Sequence, residues 1–345
     1  MNSKLMAWIL GAAVSAAAAT AASAGTLDDV KTKGFVQCGV SQGLPGFSNP
    51  DSNNNWTGMD VDFCRAVAAA IFGDAQKVKF SPLNSKERFT ALQSGEVDLL
   101  SRNTTWTMSR DTSLGLKFAG TMYYDGQGFM VKKSLGVDTA MKLDGATVCT
   151  ATGTTTELNL ADYFKANNMK YQVVAIEDAN ELVKAYDEGR CDIFTTDQSG
   201  LYSERLKMKD PAEHIILPEI ISKEPLGPVV RQGDDAWFNV VKWTYYALLT
   251  TEEFGITTAN VEEMKASTNP EMKRILGVAN EDGSAAGFGT GIGLSEDWIV
   301  NIVKGVGNYG EIFERNVGAN TPLKIARGKN ALWNNGGLQY APPIR

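Results

Sequence analysis

Gly189-Arg190-Cys191-Asp192-Ile193-Phe194-Thr195-Thr196-Asp197 reads as a second copy of Gly95-Glu96-Val97-Asp98-Leu99-Leu100-Ser101-Arg102-Asn103. In both, a glycine ends an amphipathic helical pattern, carried by Phe89 and Leu92 in one and by Leu182, Val183 and Tyr186 in the other. A short apolar run then predicts a strand, and five places past the shared aspartate stands Asn103 or Asp197. Upstream, Gly34-Phe35-Val36-Gln37-Cys38 matches Gly145-Ala146-Thr147-Val148-Cys149, each followed by a glycine-containing loop. The pattern is strand–helix–strand–helix–strand, used twice. Such alternation gives a sheet with a parallel core and helices on both faces, so the sequence predicts an α/β protein of two lobes. Ligands of these sheets sit beyond the carboxyl ends of the strands. Four polar loops, residues 41–48, 101–110, 152–157 and 195–199, should therefore line one cleft.

The composition narrows the function. At 345 residues the chain suits two domains, each able to bury a core. A net charge of −7 offers no basic footprint for nucleic acid. With His214 the only histidine and four cysteines, a histidine-rich metal cage is excluded, and no metal or cofactor is expected. A Ser-His-Asp or Cys-His hydrolase would need His214 as its base. Gly287-Phe288-Gly289 follows no predicted strand and is rejected as a nucleotide loop.

The amino terminus reads as an address. Lys4 precedes an alanine-rich apolar stretch over residues 6–22, and Ala22-Ser23-Ala24 fits a signal-peptide site cut after Ala24. No later segment reaches the roughly 18 apolar residues of a membrane span. Export favours disulfides. Cys38, Cys64, Cys149 and Cys191 allow three pairings, of which Cys38–Cys64 with Cys149–Cys191 keeps each bridge local. Helical spacing recurs over residues 235–250 and 295–306, and residues 328–345 read as an extended strap.

The cleft loops combine both signs of charge. Residues 101–110 offer hydroxyls, an amide and two guanidiniums, and Gly153-Thr154-Thr155-Thr156 stands at a predicted helix start, where free N–H groups favour an anion. Arginine suits a carboxylate bidentately, and Asp197 in the opposite lobe suits an ammonium. Together they predict a receptor for a zwitterion.

Gly58-Met59-Asp60-Val61-Asp62-Phe63, Thr107-Met108-Ser109-Arg110, Gly153-Thr154-Thr155-Thr156-Glu157 and Asp192-Ile193-Phe194-Thr195-Thr196-Asp197 resemble, in order, motifs of the periplasmic polar-amino-acid-binding proteins of ABC importers. Residues 308–316 and 340–345 look like the longer general L-amino-acid-binding branch. The resemblance implies a type II bilobal fold: lobe one over residues 25–131, lobe two over 132–228, and a return with a helical extension over 229–345. The chain would cross near residues 130–133 and return near 223–230. By the same resemblance, Arg110 would hold an α-carboxylate, helped by Thr105, Thr154 and Thr155. Asn103, Thr105 and Asp197 would hold the α-ammonium, with Ser85 and Arg88 near the side chain. Leu44 stands where the family often has an aromatic shelf, and Ser41 where acidic binders have an arginine, so broad specificity is expected. The implied protein is a periplasmic monomer that carries L-amino acids to the permease subunits of an ABC importer. Two alternatives share the fold: an exported cyclohexadienyl-type dehydratase and a chemosensory binding protein.

Overall fold

The computed structural model describes residues 25–284 and 288–345. The export segment, residues 1–24, lies outside the described residues, as does Gly287 of the rejected glycine motif.

Two five-stranded sheets carry the fold, one per lobe. In the first, Val36–Val40 runs parallel between Val78–Pro82 and Leu99–Leu100. In the second, Ala146–Ala151 runs parallel between Tyr171–Ile176 and Ile193–Asp197. The repeat in the sequence is thus a repeat of topology. Two further strands extend each trio in antiparallel sense: Val229–Arg231 then Leu116–Phe118 in the first sheet, and Gln127–Lys132 then His214–Ile216 in the second. In each sheet the fourth strand is the one that has just arrived from the other lobe.

Between the lobes lies an antiparallel ribbon, Tyr123–Asp125 paired with Glu224–Leu226. It corrects the forward crossing. Residues 130–133 were expected to cross and lobe one to reach residue 131, yet Gln127–Lys132 is already paired along Ile193–Asp197 in the second sheet. An apolar run such as Phe129-Met130-Val131 announces a strand without naming its partner. The return strand falls inside residues 223–230. Where the two ribbon strands enter lobe one they nearly touch, because a Cβ on Gly227 would lie 1.9 Å from the Gly120 carbonyl oxygen. Only glycine fits there.

The helix Met59–Phe72 backs the first sheet and depends on the glycine before it. Gly58 has φ 129°, and a Cβ there would stand 2.1 Å from the Phe47 carbonyl oxygen. Cys38 is bonded to Cys64 on this helix, and Cys149 to Cys191, the local pairing of the three. Under the chain-entropy account each closes a loop that stabilises by about 3–4 kcal/mol.

The carboxyl-terminal extension packs on lobe one. Asp235–Glu253 and Trp298–Val306 cover residues 235–250 and most of 295–306, and their Trp237, Val241, Trp298 and Ile302 join the core of Val36, Cys38 and Val67. Each fully buried aliphatic side chain contributes about 1.5–3 kcal/mol. The strap is anchored by two buried amides. Asn330 both accepts from Tyr124 N (2.7 Å) and donates to Tyr124 O (3.3 Å), while Gln339 donates to Thr121 O (3.0 Å). No described helix is long and apolar enough to cross a membrane.

Candidate ligand-binding site

The loop after Leu99–Leu100 is shaped by a carboxylate beneath it. Asp60, in the first turn of Met59–Phe72, accepts from Ser101 Oγ (3.2 Å) and from Asn103 N (3.1 Å), holding Asn103 at the positive φ of 38°. Burial outweighs these bonds and pushes Asp60 up to about 7. Downstream, the T-x-x-R spacing has a local cause. Thr107 caps Met108–Ser113 by accepting from Arg110 N (3.3 Å), which turns the Arg110 side chain inward.

Three guanidiniums gather in this part of lobe one. Arg110 donates to Thr105 O (2.8 Å) and lies 5.0 Å from the Phe89 ring centroid. Arg102 donates to Leu83 O (2.9 Å) and Ser85 Oγ (3.2 Å), and burial lowers it to about 10. Arg88 reaches Thr104 Oγ1 at 3.4 Å, and its buried Nε has no acceptor. Burial, then Arg102 and Arg110, push Arg88 well below the usual range. Arginine keeps its proton in proteins, so three buried cations so close together favour an anion among them.

Acids face them from the second lobe and the ribbon. Asp197 ends Ile193–Asp197, and although it stands at the N-cap of Gln198–Arg205 its side chain does not cap it. It is buried. Burial, then Asp125 and Glu224, raise it well above the usual carboxylate range, against the pull of Arg88 and Arg110. Asp125 accepts from Gly126 N (2.8 Å) and Ser199 N (3.2 Å), and burial pushes it up to about 6.

The threonines behave differently from expectation. Thr154 caps Thr155–Ala166, accepting from Glu157 N (3.3 Å) and donating to Ala151 O (2.8 Å), so its hydrogen is spent. Thr105 and Thr155 both donate to Glu224 Oε2, at 2.6 and 2.9 Å. Glu224 thus takes the hydroxyl hydrogens that the sequence reading offered to a ligand carboxylate.

Between the lobes a cavity of about 70 Å³ is lined by Leu44, Ser85, Arg102 and Asn103 from the first lobe and by Thr196 and Glu204 from the second. Of the residues named from sequence, Leu44, Ser85 and Asn103 line this cavity. Arg110, Thr105 and Thr155 collect around Glu224; Arg88 lies with Thr104, and Asp197 faces Asp125. Direct contacts cross the cleft: Gln42 Nε2 to Asp178 Oδ2 (3.1 Å), Ser203 Oγ to Pro45 O (2.7 Å) and Lys207 Nζ to Gly43 O (3.0 Å). A larger cavity of about 210 Å³ under Trp243, Trp298 and Ile344 is mostly apolar and offers no pair of opposite charges.

Sequence reasoning missed Asp60, Arg102, Asp125, Glu204 and Glu224. Asp60 and Arg102 sat inside quoted motifs, whereas Asp125 and Glu224 carry no signal until the ribbon is located. The hydrolase alternative loses its base: His214 is buried against the Tyr186 hydroxyl (3.1 Å) and Asp187 (3.6 Å) in lobe two. Among the described residues no group of three or more His, Cys, Asp or Glu could hold a metal.

Residues 36–255 match the family described as bacterial extracellular solute-binding proteins, family 3. Over its whole length the chain is 65% identical to the whole of the general L-amino acid-binding periplasmic protein AapJ of Rhizobium johnstonii. It is 56% identical to the glutamate/glutamine/aspartate/asparagine-binding protein BztA of Rhodobacter capsulatus, covering 96% of this chain and 97% of that one. Among solved structures it resembles a periplasmic binding protein of an ABC transporter from Brucella ovis with glutathione bound, with TM-score 0.91 and 63% identity, over 93% of this chain and 100% of that one. With well over half of the chain matched to the family and full-length relatives beyond it, this protein belongs to the family 3 extracellular solute-binding proteins.

Proposed function

We propose that this protein, freed of residues 1–24 in the periplasm, captures L-amino acids of several side-chain types and delivers them unchanged to the permease of an ABC importer. One observation carries the ligand class. The closed cleft holds a buried donor and a buried acceptor without partners, Arg88 Nε and Asn103 Oδ1, and the buried Asp197 carboxylate stands in the field of Arg88 and Arg110. Each such group costs about 1–3 kcal/mol while unpaired, and more when charged. A molecule bearing one carboxylate and one ammonium satisfies both signs at once. The names of AapJ and BztA, and the glutathione in the Brucella protein, support this class, since a γ-glutamyl end carries the same α-zwitterion.

Breadth follows from what lines the cavity. Large discrimination arises when polar groups dedicated to one side chain go unsatisfied with another. Here the two charged residues lining the cavity are already committed, Arg102 to Leu83 O and Ser85 Oγ and Glu204 to Lys207, and the shelf is the apolar Leu44. Calorimetric titration of ligand-depleted protein should give acidic, amide and small aliphatic L-amino acids within about tenfold to a hundredfold of one another, roughly 1.4–2.7 kcal/mol. D-enantiomers should bind much more weakly, and glutathione belongs in the panel. A single winner by more than about a thousandfold would overturn breadth. No binding at all would overturn the ligand class, and ligand recovered chemically altered would revive the dehydratase.

The carboxyl groups set a pH dependence. Burial holds Asp125 at about 6 and Asp197 above its ordinary value, so as pH falls the empty protein takes up protons there that an ionised partner for the ammonium must release. Proton release on binding makes affinity fall as pH falls, toward about tenfold per unit for one coupled proton. Titrations at about pH 8 and about pH 5 should show the weaker binding at the lower value. Equal affinities would remove Asp197 from the ammonium's contacts.

A further inference from the structure

We propose that Glu224 is a positioning residue that clasps the two lobes and fixes the hydrogen-bond sense of the ligand-facing hydroxyls; the second half of this rests on the amino-acid reading above. Glu224 is 1% exposed and receives four donors. Thr105 Oγ1 comes from lobe one (2.6 Å), Ser222 Oγ from the segment just before the return strand (2.6 Å), and Thr155 Oγ1 (2.9 Å) and Asn159 Nδ2 (2.7 Å) from one helix of lobe two. An ionised carboxylate has about four acceptor positions and no hydrogen to give, so this one is filled.

Its place on the ribbon gives the clasp its logic. Thr105 travels with Glu224, since Thr105 is bridged to Leu226 and Trp106 N donates to Pro225 O (2.8 Å). Thr155 and Asn159 belong to the other lobe. Closure about the ribbon therefore brings two donors from lobe two onto a carboxylate already held by lobe one and Ser222, and these bonds need no ligand. Bonds present only in the closed form enlarge its share of the empty protein, and affinity rises with the share of the binding-competent state.

The same bonds set polarity. Each threonine has one hydroxyl hydrogen, and both point at Oε2. The two oxygens, 3.3 Å apart, can offer a ligand lone pairs alone. They are acceptors for an ammonium and poor company for a carboxylate, which leaves the carboxylate to the guanidiniums. Glu224 also stands opposite Asp125 across the ribbon, and side chains at paired positions share a face. The acids on that face, Asp125 and Glu224 with Asp197 nearby, form the cation-favouring end of the cleft.

The test uses Glu224→Gln, which keeps the size but replaces one acceptor oxygen with a donor, alongside Glu224→Asp and Thr105→Val. Without any ligand, small-angle scattering or a pair of labels across the lobes should report a more open Glu224→Gln protein. With ligand, its dissociation should be faster by about 10- to 100-fold, while amine-free 2-oxo acids lose less. Thr105→Val combined with Glu224→Gln should cost less than the two separate losses added together. A variant with lowered Tm but unchanged lobe separation and dissociation rate would overturn the clasp. Should the wild-type protein bind no amino acid while Glu224→Gln still opens the empty protein, the clasp stands and the ligand reading falls.

Discussion

Arg110→Ala should weaken every L-amino acid by a similar factor, about 30-fold to several-thousand-fold in Kd. The α-carboxylate is common to them all, and truncating one member of a buried charge pair costs about 2–5 kcal/mol or more. Uniformity across the panel is the signature. Arg110 is held by a helix that Thr107 caps, and one of its N–H groups is committed to Thr105 O. The loss should therefore fall on carboxylate recognition, with side-chain preference unchanged. Arg110→Lys keeps a positive charge but not the planar fork, so it should fall between wild type and alanine. Arg88 and Arg102 remain in the mutant and retain some attraction for an anion. The same crowding of three cations means that removing one relieves repulsion in the empty protein. Calorimetry across the panel checks the claim, with thermal unfolding as the control for folding. An unchanged Kd would leave Arg110 the lesser task of holding the Thr105 carbonyl.

The repeat was legible because its signals are local and periodic. A glycine at a helix end, a short apolar run and a cysteine at a fixed offset each survive in one sequence, and each repeat proved to be the same strand order in a separate sheet. The disulfides were legible for a similar reason, since both join neighbouring elements of one lobe. The crossing was not. Gln127–Lys132 shows an apolar core of strand type, but its partners come from residues 193–197 and 214–216, and pairing at such separation leaves no mark on the segment itself. The buried acids were hidden by the assumption that usually works, that a charged residue faces water. Glu224 and Asp125 break it because each lies on a ribbon with two lobes folded over it.

That burial of unlike charges at opposite ends of one cleft sets up the second large effect. Asp197→Asn keeps the side chain's shape and removes the countercharge for the ammonium. Amino acids should lose about 2–5 kcal/mol, again about 30-fold to several-thousand-fold. Amine-free 2-oxo acids should be spared or slightly favoured, because Asp197 is one of three acids, with Asp125 and Glu224, whose charge opposes an anion entering nearby. The pH dependence should flatten as well, since a carboxyl group that burial raises well above its ordinary range is gone. Arg110→Ala and Asp197→Asn thus predict opposite discrimination: the first weakens amino acids and 2-oxo acids together, the second separates them. That contrast distinguishes a site reading two ends of one molecule from a lobe that has merely been loosened. Equal weakening of both ligand classes by Asp197→Asn, with no change in pH slope, would make Asp197 an organiser of the turn into Gln198–Arg205 and leave the ammonium to Asn103, Thr105 and Thr155.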